Sequence, residues 1–159
     1  QSTGRELCAI VAFPDSSPSP SQHFGRMGSY FYRPPQKIGN DQKLNTIRMQ
    51  GREVYKSAVN AMRHAAEDAL KGLNLAPEDV DMLIPHQANL RIIESITDRM
   101  GIPKEKTFIN LDKYGNTSAA AVAIALDEAN KTKAIKAGDI VVLVAFGAGL
   151  TWASSVLRW

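Results

Sequence analysis

Short apolar runs alternate with longer helical repeats along this chain, and this alternation constrains the fold more than any other feature. The runs of strand length are Leu7–Phe13, Val80–Pro85, Thr107–Leu111, Asp139–Phe146 and Leu150–Arg158. The helical segments between them are Gly51–Leu73, Asn89–Met100 and Thr117–Asn130. The order β-α-β-α-β-α-β-β predicts an α/β fold with a largely parallel sheet flanked by helices, because parallel strands need crossover connections. Only residues 147–149 join the last two strands, which must therefore be antiparallel, so the predicted sheet is mixed.

Residues 14–43 interrupt this pattern with a composition typical of a long surface excursion. Proline, serine and glycine are frequent there, but Tyr30, Phe31 and Tyr32 make the segment too aromatic for a plain flexible linker. The sequence has no internal repeat, and 159 residues are the length of one compact domain. We therefore predict a single domain over residues 1–159.

Composition argues against several classes of function. No apolar run approaches the roughly 20 residues that a transmembrane helix requires. The net charge of +3 is too small, and its basic residues too scattered, to indicate a nucleic-acid-binding surface. This mildly basic balance instead suits an acidic partner or an anionic ligand. The single cysteine, Cys8, allows no internal disulfide, which fits a reducing compartment.

Two polar loops follow predicted strands at the edge where α/β sheets bind ligands. His86, in IPHQAN, comes directly after one strand, and Asn116, in YGNTS, occupies the same topological position one β-α unit later. Consecutive parallel units bring equivalent loops close together, so His86 and Asn116 are expected to converge on one substrate oxygen. Each residue alone also fits a plainer role, as a group that caps a helix or forms a turn.

Other candidate groups are weaker. The loop Phe146-Gly147-Ala148-Gly149 is small enough for a substrate to approach backbone N–H groups, as in an oxyanion hole, and it fits a tight hairpin equally well. Cys8 lies within an apolar strand with no basic group beside it, so we interpret it as a core residue. His23 and His64 lack the spacing of metal ligands and are interpreted as structural or exposed.

A serine hydrolase is the remaining enzyme class that these residues suggest. Ser118 and His86 would supply its nucleophile and base. No G-x-S-x-G motif is present, so this reading has little support.

Taken together, PHQANLRI, LDKYGNTSAA and FGAGLTW, in this order and spacing, resemble the β-ketoacyl-acyl carrier protein synthase III family of type II fatty-acid synthesis. The resemblance extends from about Leu44 to Trp159. It implies the thiolase fold, in which two similar halves are related by a pseudo-twofold axis, and it identifies this chain as the C-terminal half. The family's nucleophilic cysteine belongs to the N-terminal half, and no segment here matches it. The chain alone is therefore expected to be inactive.

The resemblance implies decarboxylative Claisen condensation without a cofactor. An acyl group, commonly acetyl from acetyl-CoA, is carried on the cysteine, and malonyl-acyl carrier protein then loses CO2 to form an enolate. His86 and Asn116 would be the catalytic residues, donating hydrogen bonds to the malonyl thioester oxygen. The backbone N–H of Ala148 would belong to the oxyanion hole.

Binding positions and partners also follow from the resemblance. The residues that would line the CoA and pantetheine channel are Gly51, Arg52, Tyr55, Ala88 and Asn89. Phe146 would border the acyl pocket, and Arg91 and Arg99 would lie on the rim where acyl carrier protein docks. The implied partners are acyl carrier protein, acyl-CoA, the N-terminal half and a second copy in a homodimer. The implied location is the cytoplasm, or the plastid stroma in a plant or alga, and no metal, nucleic acid or membrane is expected.

Two alternatives remain open from the sequence. One is a non-catalytic module of the same fold that binds acyl carrier protein or CoA. The other is a residual malonyl decarboxylase, because neither His86 nor Asn116 needs the cysteine for that step.

Overall fold

The computed structural model describes the strand Glu6–Pro14 and residues 51–147 and 150–159. The strands are β1 Glu6–Pro14, β2 Met82–Pro85, β3 Ile140–Gly147 and β4 Thr151–Arg158. The helices are α1 Gly51–Lys71, α2 Leu90–Met100, α3 Leu111–Tyr114 and α4 Ala121–Lys131, and the short 3₁₀ turns are Pro77–Asp79, Lys104–Lys106 and Ser118–Ala120. The predicted excursion over residues 14–43 lies outside the described residues beyond Pro14.

The four strands form one mixed sheet in the order β1-β4-β3-β2. β2 pairs in parallel with β3, and Pro85 lies opposite Val144 at the carboxyl end of this pair. β3 and β4 form an antiparallel hairpin in which Phe146 faces Trp152. The first strand closes the far side by pairing antiparallel with β4. The predicted mixed α/β sheet, with its antiparallel final pair, is confirmed.

Helices cover both faces of this sheet. α1 and α2 pack on one face, where Met62 meets Val142 and Val144 in the larger core cluster. α4 packs on the other face, where Ala125 joins Val141 in the second cluster. Because successive strand residues point to opposite faces, the neighbours Val141 and Val142 belong to different cores. A strand buried on both faces explains why β3 reads as a continuous apolar run.

The predicted strand Thr107–Leu111 is wrong as a strand, although its position beside β2 is right. Only one parallel bridge forms, between Leu83 and Thr107, and the N–H of Phe108 donates to the carbonyl of Leu83 at 2.9 Å. The backbone then turns at Asn110 into α3. The pairing with β2 stops because the side chain of Gln87 hydrogen-bonds to the carbonyl of Phe108 and the N–H of Asn110, which a longer strand would have paired with β2.

The alanine-rich helix begins four residues later than predicted. A 3₁₀ turn, Ser118–Ala120, precedes α4. Ala121, Ala125 and Ala129 recur along its buried face, and their small side chains let the helix lie close to the sheet. Ala123 on the other side is exposed in the described chain. No helix among the described residues is long and apolar enough to span a bilayer.

Candidate functional site

The loops that carry His86 and Asn116 both start from the carboxyl edge of the parallel part of the sheet. His86 directly follows β2, and its N–H donates to the carbonyl of Val144 in β3 at 2.7 Å. The segment that begins at Thr107 also leaves the sheet at this edge, because Thr107 forms a parallel bridge with Leu83 of β2. The chain then passes through α3 to Asn116. Topology therefore brings the two predicted loops to one edge, as ligand sites in α/β sheets require.

His86 has a fixed backbone and an imidazole without a hydrogen-bond partner among the described residues. Its carbonyl accepts the N–H of Ala88 at 2.9 Å, and its own N–H is bonded to β3. Burial lowers the pKa of the imidazole below its ordinary value. The ring is therefore neutral near pH 7, with one N–H available as a donor.

The Asn116 loop is held in a conformation that suits glycine and asparagine. Gly115 adopts φ 65° and ψ −161°, a region that is almost restricted to glycine. The side-chain oxygen of Asn116 accepts the N–H of Ser118 at 2.9 Å, and Ser118 has a positive φ of 54°. This turn uses the oxygen of the carboxamide and leaves its NH2 group without a partner in the described structure.

Gln87 was not singled out by the sequence analysis, and it joins the two loops. It has 1% of its surface exposed. Its Nε2 donates to the carbonyls of Pro85 at 2.8 Å and Phe108 at 3.2 Å. Its Oε1 accepts the N–H of Asn110 at 3.1 Å. No period-two signal could have found it, because β2 is buried at every position and alternation does not distinguish residue 86 from residue 87.

Asn110 extends this polar connection to α4. Its side-chain amide donates to Glu128 at 2.8 Å, and Lys113 in α3 forms an ion pair with the same carboxylate. The hydrogen bond and charge of Lys113, together with the Asn110 amide, lower the pKa of the Glu128 carboxyl. The segment that leads to Asn116 is therefore tied to β2 through Gln87 and to α4 through Glu128.

Thr117 directly follows Asn116 and carries a hydroxyl group. Its oxygen is buried and has no hydrogen-bond partner among the described residues. An unpaired buried hydroxyl costs on the order of 1–3 kcal/mol, so it is an unusual feature beside Asn116.

The predicted channel residues lie at the amino-terminal ends of two helices that run in the same direction. Tyr55 Oη contacts Ser95 Oγ at 2.5 Å, and Arg99 donates to Asn60 at 2.8 Å. Residue numbers therefore increase in the same direction along α1 and α2. In this register residue 51 of α1 is about level with residue 91 of α2. Gly51 therefore lies at the same end as the loop of His86, and the partial positive charge of the amino terminus of α2, which Asn89 caps, is directed there.

Four further predicted residues lie around this end. Asn89 caps α2 by accepting the N–H of Arg91 at 2.9 Å, and Ala88 is partly buried beside it. Arg52 and Arg91 are exposed, and no ion pair within the described residues neutralises them. This end of the helix layer is thus suited to a negatively charged ligand or protein surface.

The other residues named from the sequence lie as follows. Phe146 is partly buried at the end of β3 and packs against the larger core. Arg99 is exposed but engaged with Asn60. Ala148, His23 and the side chain of Cys8 lie outside the described residues.

The structure gives no support to the hydrolase reading. Nothing acidic hydrogen-bonds the ring of His86 among the described residues, so a Ser118-based triad lacks its third member there. His64 is exposed beside Arg63, with 2.6 Å between its Nε2 and the guanidinium. Within the described ranges, no group of three or more His, Cys, Asp or Glu side chains is arranged to hold a metal ion.

The sequence comparisons point to one protein family. Residues 70–159 match the family model for the 3-oxoacyl-[acyl-carrier-protein (ACP)] synthase III C terminal. The β-ketoacyl-[acyl-carrier-protein] synthase III of Caldanaerobacter subterraneus subsp. tengcongensis is 55% identical over 142 residues, covering 85% of this chain and 43% of that protein. The corresponding protein of Aquifex aeolicus is 49% identical over 113 residues, covering 71% of this chain and 37% of the relative. The chain thus spans less than half the length of these relatives.

Solved structures give the same result for the fold. A synthase III structure from Thermus thermophilus superposes with a TM-score of 0.81 at 39% identity, covering 98% of this chain and 47% of that one. The synthase III structure from Aquifex aeolicus gives a TM-score of 0.78 at 37% identity, covering 98% of this chain and 45% of that one. Both are thiolase-like condensing enzymes in fold.

Proposed function

Because the chain belongs to the 3-oxoacyl-[acyl-carrier-protein] synthase III family, we propose that it supplies the histidine and asparagine half of a condensing active site. The reaction is decarboxylative Claisen condensation of an acyl group, acetyl in the simplest case, with malonyl-acyl carrier protein. This step initiates type II fatty-acid synthesis. The remainder of the active site, including the nucleophilic cysteine, comes from an N-terminal half equivalent to the part of the relatives that this chain does not match.

In this proposal His86 and Asn116 each donate one hydrogen bond to the malonyl thioester oxygen. Loss of CO2 leaves an enolate, and its negative charge develops on that oxygen. Two fixed donors stabilise the charge without reorganisation, which is the main source of rate enhancement in such sites. A neutral imidazole serves as one donor because burial lowers the pKa of His86. The enolate carbon then attacks the acyl carbonyl on the cysteine, with the N–H of Ala148 as one donor to the tetrahedral oxyanion, and the intermediate collapses by breaking the C–S bond and releasing the cysteine thiolate.

The amino-terminal ends of α1 and α2 form the entrance for the carrier in the same proposal. Gly51, Arg52 and Tyr55 lie on one side, and Ala88 and Asn89 lie on the other, so a pantetheine arm would pass between them towards His86. Arg91, with Arg99 further along α2, would meet acidic groups of acyl carrier protein. Such rim charges chiefly change the association rate and its salt dependence. A second copy of the enzyme completes a homodimer.

One observation carries the proposal. The partly buried imidazole of His86 and the exposed NH2 group of Asn116 both lack hydrogen-bond partners among the described residues, and their loops start from the same edge of the sheet. A pair of unused donors beside a strand end is what stabilisation of one oxyanion needs. The local bonds of each loop hold the backbone and leave these donors to a ligand.

Release of CO2 from malonyl-CoA by the protein with its N-terminal half tests the proposal. His86→Ala and Asn116→Ala should each lower the rate about 10²–10³-fold, the usual loss for one oxyanion donor. His64→Ala and Asn130→Ala are matched controls on exposed helix surfaces and should retain the activity.

Two outcomes would contradict the proposal. Folded variants that lack His86 or Asn116 but release CO2 at the normal rate would remove both residues from the chemistry. Binding of acyl carrier protein without any CO2 release or condensation would favour the non-catalytic module instead.

A further inference from the structure

We propose that Gln87 is a positioning residue that sets the separation between the side chains of His86 and Asn116. This inference rests on the proposed function, since it concerns the two donors to the thioester oxygen. Gln87 is fully buried although its neighbours in sequence, His86 and Ala88, are only partly buried. A buried carboxamide is retained where its hydrogen bonds connect parts of the structure that must keep a fixed geometry.

On the histidine side, Gln87 completes a set of bonds that immobilises the backbone. Its Nε2 donates to the carbonyl of Pro85, the residue before His86. The N–H of His86 is bonded to Val144, and its carbonyl is bonded to Ala88. The carbonyl of Pro85 and both backbone polar groups of His86 are therefore hydrogen-bonded, which limits movement of the backbone that carries the imidazole.

On the asparagine side, Gln87 fixes the start of the segment that leads to Asn116. It donates to the carbonyl of Phe108 and accepts the N–H of Asn110. The carbonyl of Asn110 in turn accepts the N–H groups of Lys113 and Tyr114 in α3. The N–H of Gly115 donates to Leu111 at the end of this helical turn, so Gln87 holds the first residue of a hydrogen-bonded turn that ends directly before Asn116.

This arrangement makes a specific kinetic claim. Two donors serve one oxygen only when both N–H groups lie within hydrogen-bonding distance of it, and a displacement of about 1 Å can cost on the order of 10² in rate. Binding of the carrier depends on the helix ends and not on this separation. Loss of Gln87 should therefore lower kcat and leave KM for the malonyl thioester nearly unchanged.

A purely structural role makes a different claim, and Thr97 supplies the comparison. Thr97 is also buried, with 2% of its surface exposed, and its hydroxyl donates to the carbonyl of Ile93 at 2.9 Å. This bond lies within α2. A second contact, from the same hydroxyl to Thr107 Oγ1 at 3.3 Å, reaches the segment beside β2, but neither contact involves the loop of His86. If Gln87 only stabilised the fold, Gln87→Met and Thr97→Val would both lower the melting temperature and both leave kcat intact.

The test uses the protein with its N-terminal half and measures kcat and KM for CO2 release from malonyl-CoA, together with thermal stability. Gln87→Met should lower kcat about 10²-fold with KM within about twofold, and Thr97→Val should keep kcat. Gln87→Met should cause little further loss in an Asn116→Ala background, because its effect passes through Asn116. Gln87→Glu, which keeps the acceptor for Asn110 but loses both donated bonds, replaces Gln87→Met if that variant does not fold.

A crystal structure of the same variant provides a readout that is independent of activity. We expect the distance between the His86 ring and the Asn116 carboxamide to change by about 1 Å or more. A folded variant with normal kcat, an unchanged distance, or an additive loss with Asn116→Ala would overturn the inference. If His86→Ala and Asn116→Ala leave CO2 release intact, the proposed function fails, and the crystallographic distance still decides whether Gln87 positions the two loops.

Discussion

Replacing Gly115 by alanine isolates the cost of the backbone conformation that precedes Asn116. A Cβ atom at this position would meet no atom of the described residues within 4 Å, so the substitution creates no collision with them. The whole penalty comes from φ 65° and ψ −161°, which a residue with a side chain rarely adopts. Such a conformation costs about 1–3 kcal/mol. At about 2–4 °C per kcal/mol for a domain of this length, the melting temperature should fall by about 2–12 °C.

Two other glycines provide matched controls, because a Cβ atom at either position would also meet nothing within 4 Å in the part of the chain that the structure describes. Gly101 ends α2 with φ 68° and ψ 17°, a left-handed conformation that costs an alanine roughly 1–2 kcal/mol. Gly51 begins α1 without a positive φ, so alanine there should be neutral or stabilising by up to about 1 kcal/mol. The expected loss of stability therefore decreases from Gly115 to Gly101 to Gly51.

Thermal unfolding of the three variants, followed by far-UV circular dichroism, measures this order. Gly115→Ala should also reduce CO2 release from malonyl-CoA, because relaxing the strained peptide moves the Asn116 carboxamide. Gly101→Ala should retain the activity. If Gly115→Ala unfolds at the same temperature as Gly51→Ala, or keeps full activity, the strained turn does not hold Asn116 in place.

Three further predictions concern charge and exposed surface. Burial lowers the pKa of His86 below 6.5, so the unfolded chain binds a proton at this residue more readily than the folded chain. The free energy of unfolding should therefore fall as pH drops below about 6.5. The urea midpoint should decrease between about pH 7.5 and 5.5, and His86→Asn should make this decrease smaller. An unchanged pH dependence would contradict the buried, neutral imidazole. Arg91→Glu should slow association with acyl carrier protein severalfold at low salt, whereas Lys136→Glu, beyond the opposite edge of the sheet, should not; equal effects in stopped-flow binding would exclude a localised rim. The isolated chain exposes large apolar side chains, Leu90 and Tyr114 among them, and should bind a hydrophobic dye and self-associate; a clean monomer in sedimentation without dye binding would refute this.

Periodicity predicted the elements whose burial follows a simple repeat. The apolar stripe from Ala58 to Leu70 is buried as expected, because a helix of that length directs every third or fourth side chain to the sheet. The final hairpin was predictable from connection length alone. In these elements the local sequence pattern and the tertiary packing favour the same structure, so the predicted and observed elements agree.

Prediction from the sequence failed where a side chain, and not the backbone, was the hydrogen-bonding partner. Thr107–Leu111 has strand-like composition, but Gln87 takes up its backbone groups and Asn110 starts a helical turn. Composition does not reveal which glutamine is buried, because burial depends on the loop being brought against its neighbour. The late start of α4 has a similar cause, since Asn116 accepts the N–H of Ser118 and delays the regular helix.

The sequence predicted which loops carry the candidate residues, but it did not predict the backbone torsions and hydrogen bonds of those loops. Motifs identified His86 and Asn116, and strand order explains why their loops share an edge. The unused donors, the strained Gly115 and the buried connection through Gln87 depend on torsions and contacts between distant residues. No sequence pattern encodes these directly.

A crystal structure of the protein with its N-terminal half, bound to a non-reactive malonyl thioester analogue, tests the central claim most directly. We predict that a ring nitrogen of His86 and the side-chain nitrogen of Asn116 both lie within about 3.2 Å of the thioester oxygen. An analogue whose thioester oxygen contacts neither nitrogen, or contacts only backbone groups, would contradict the account.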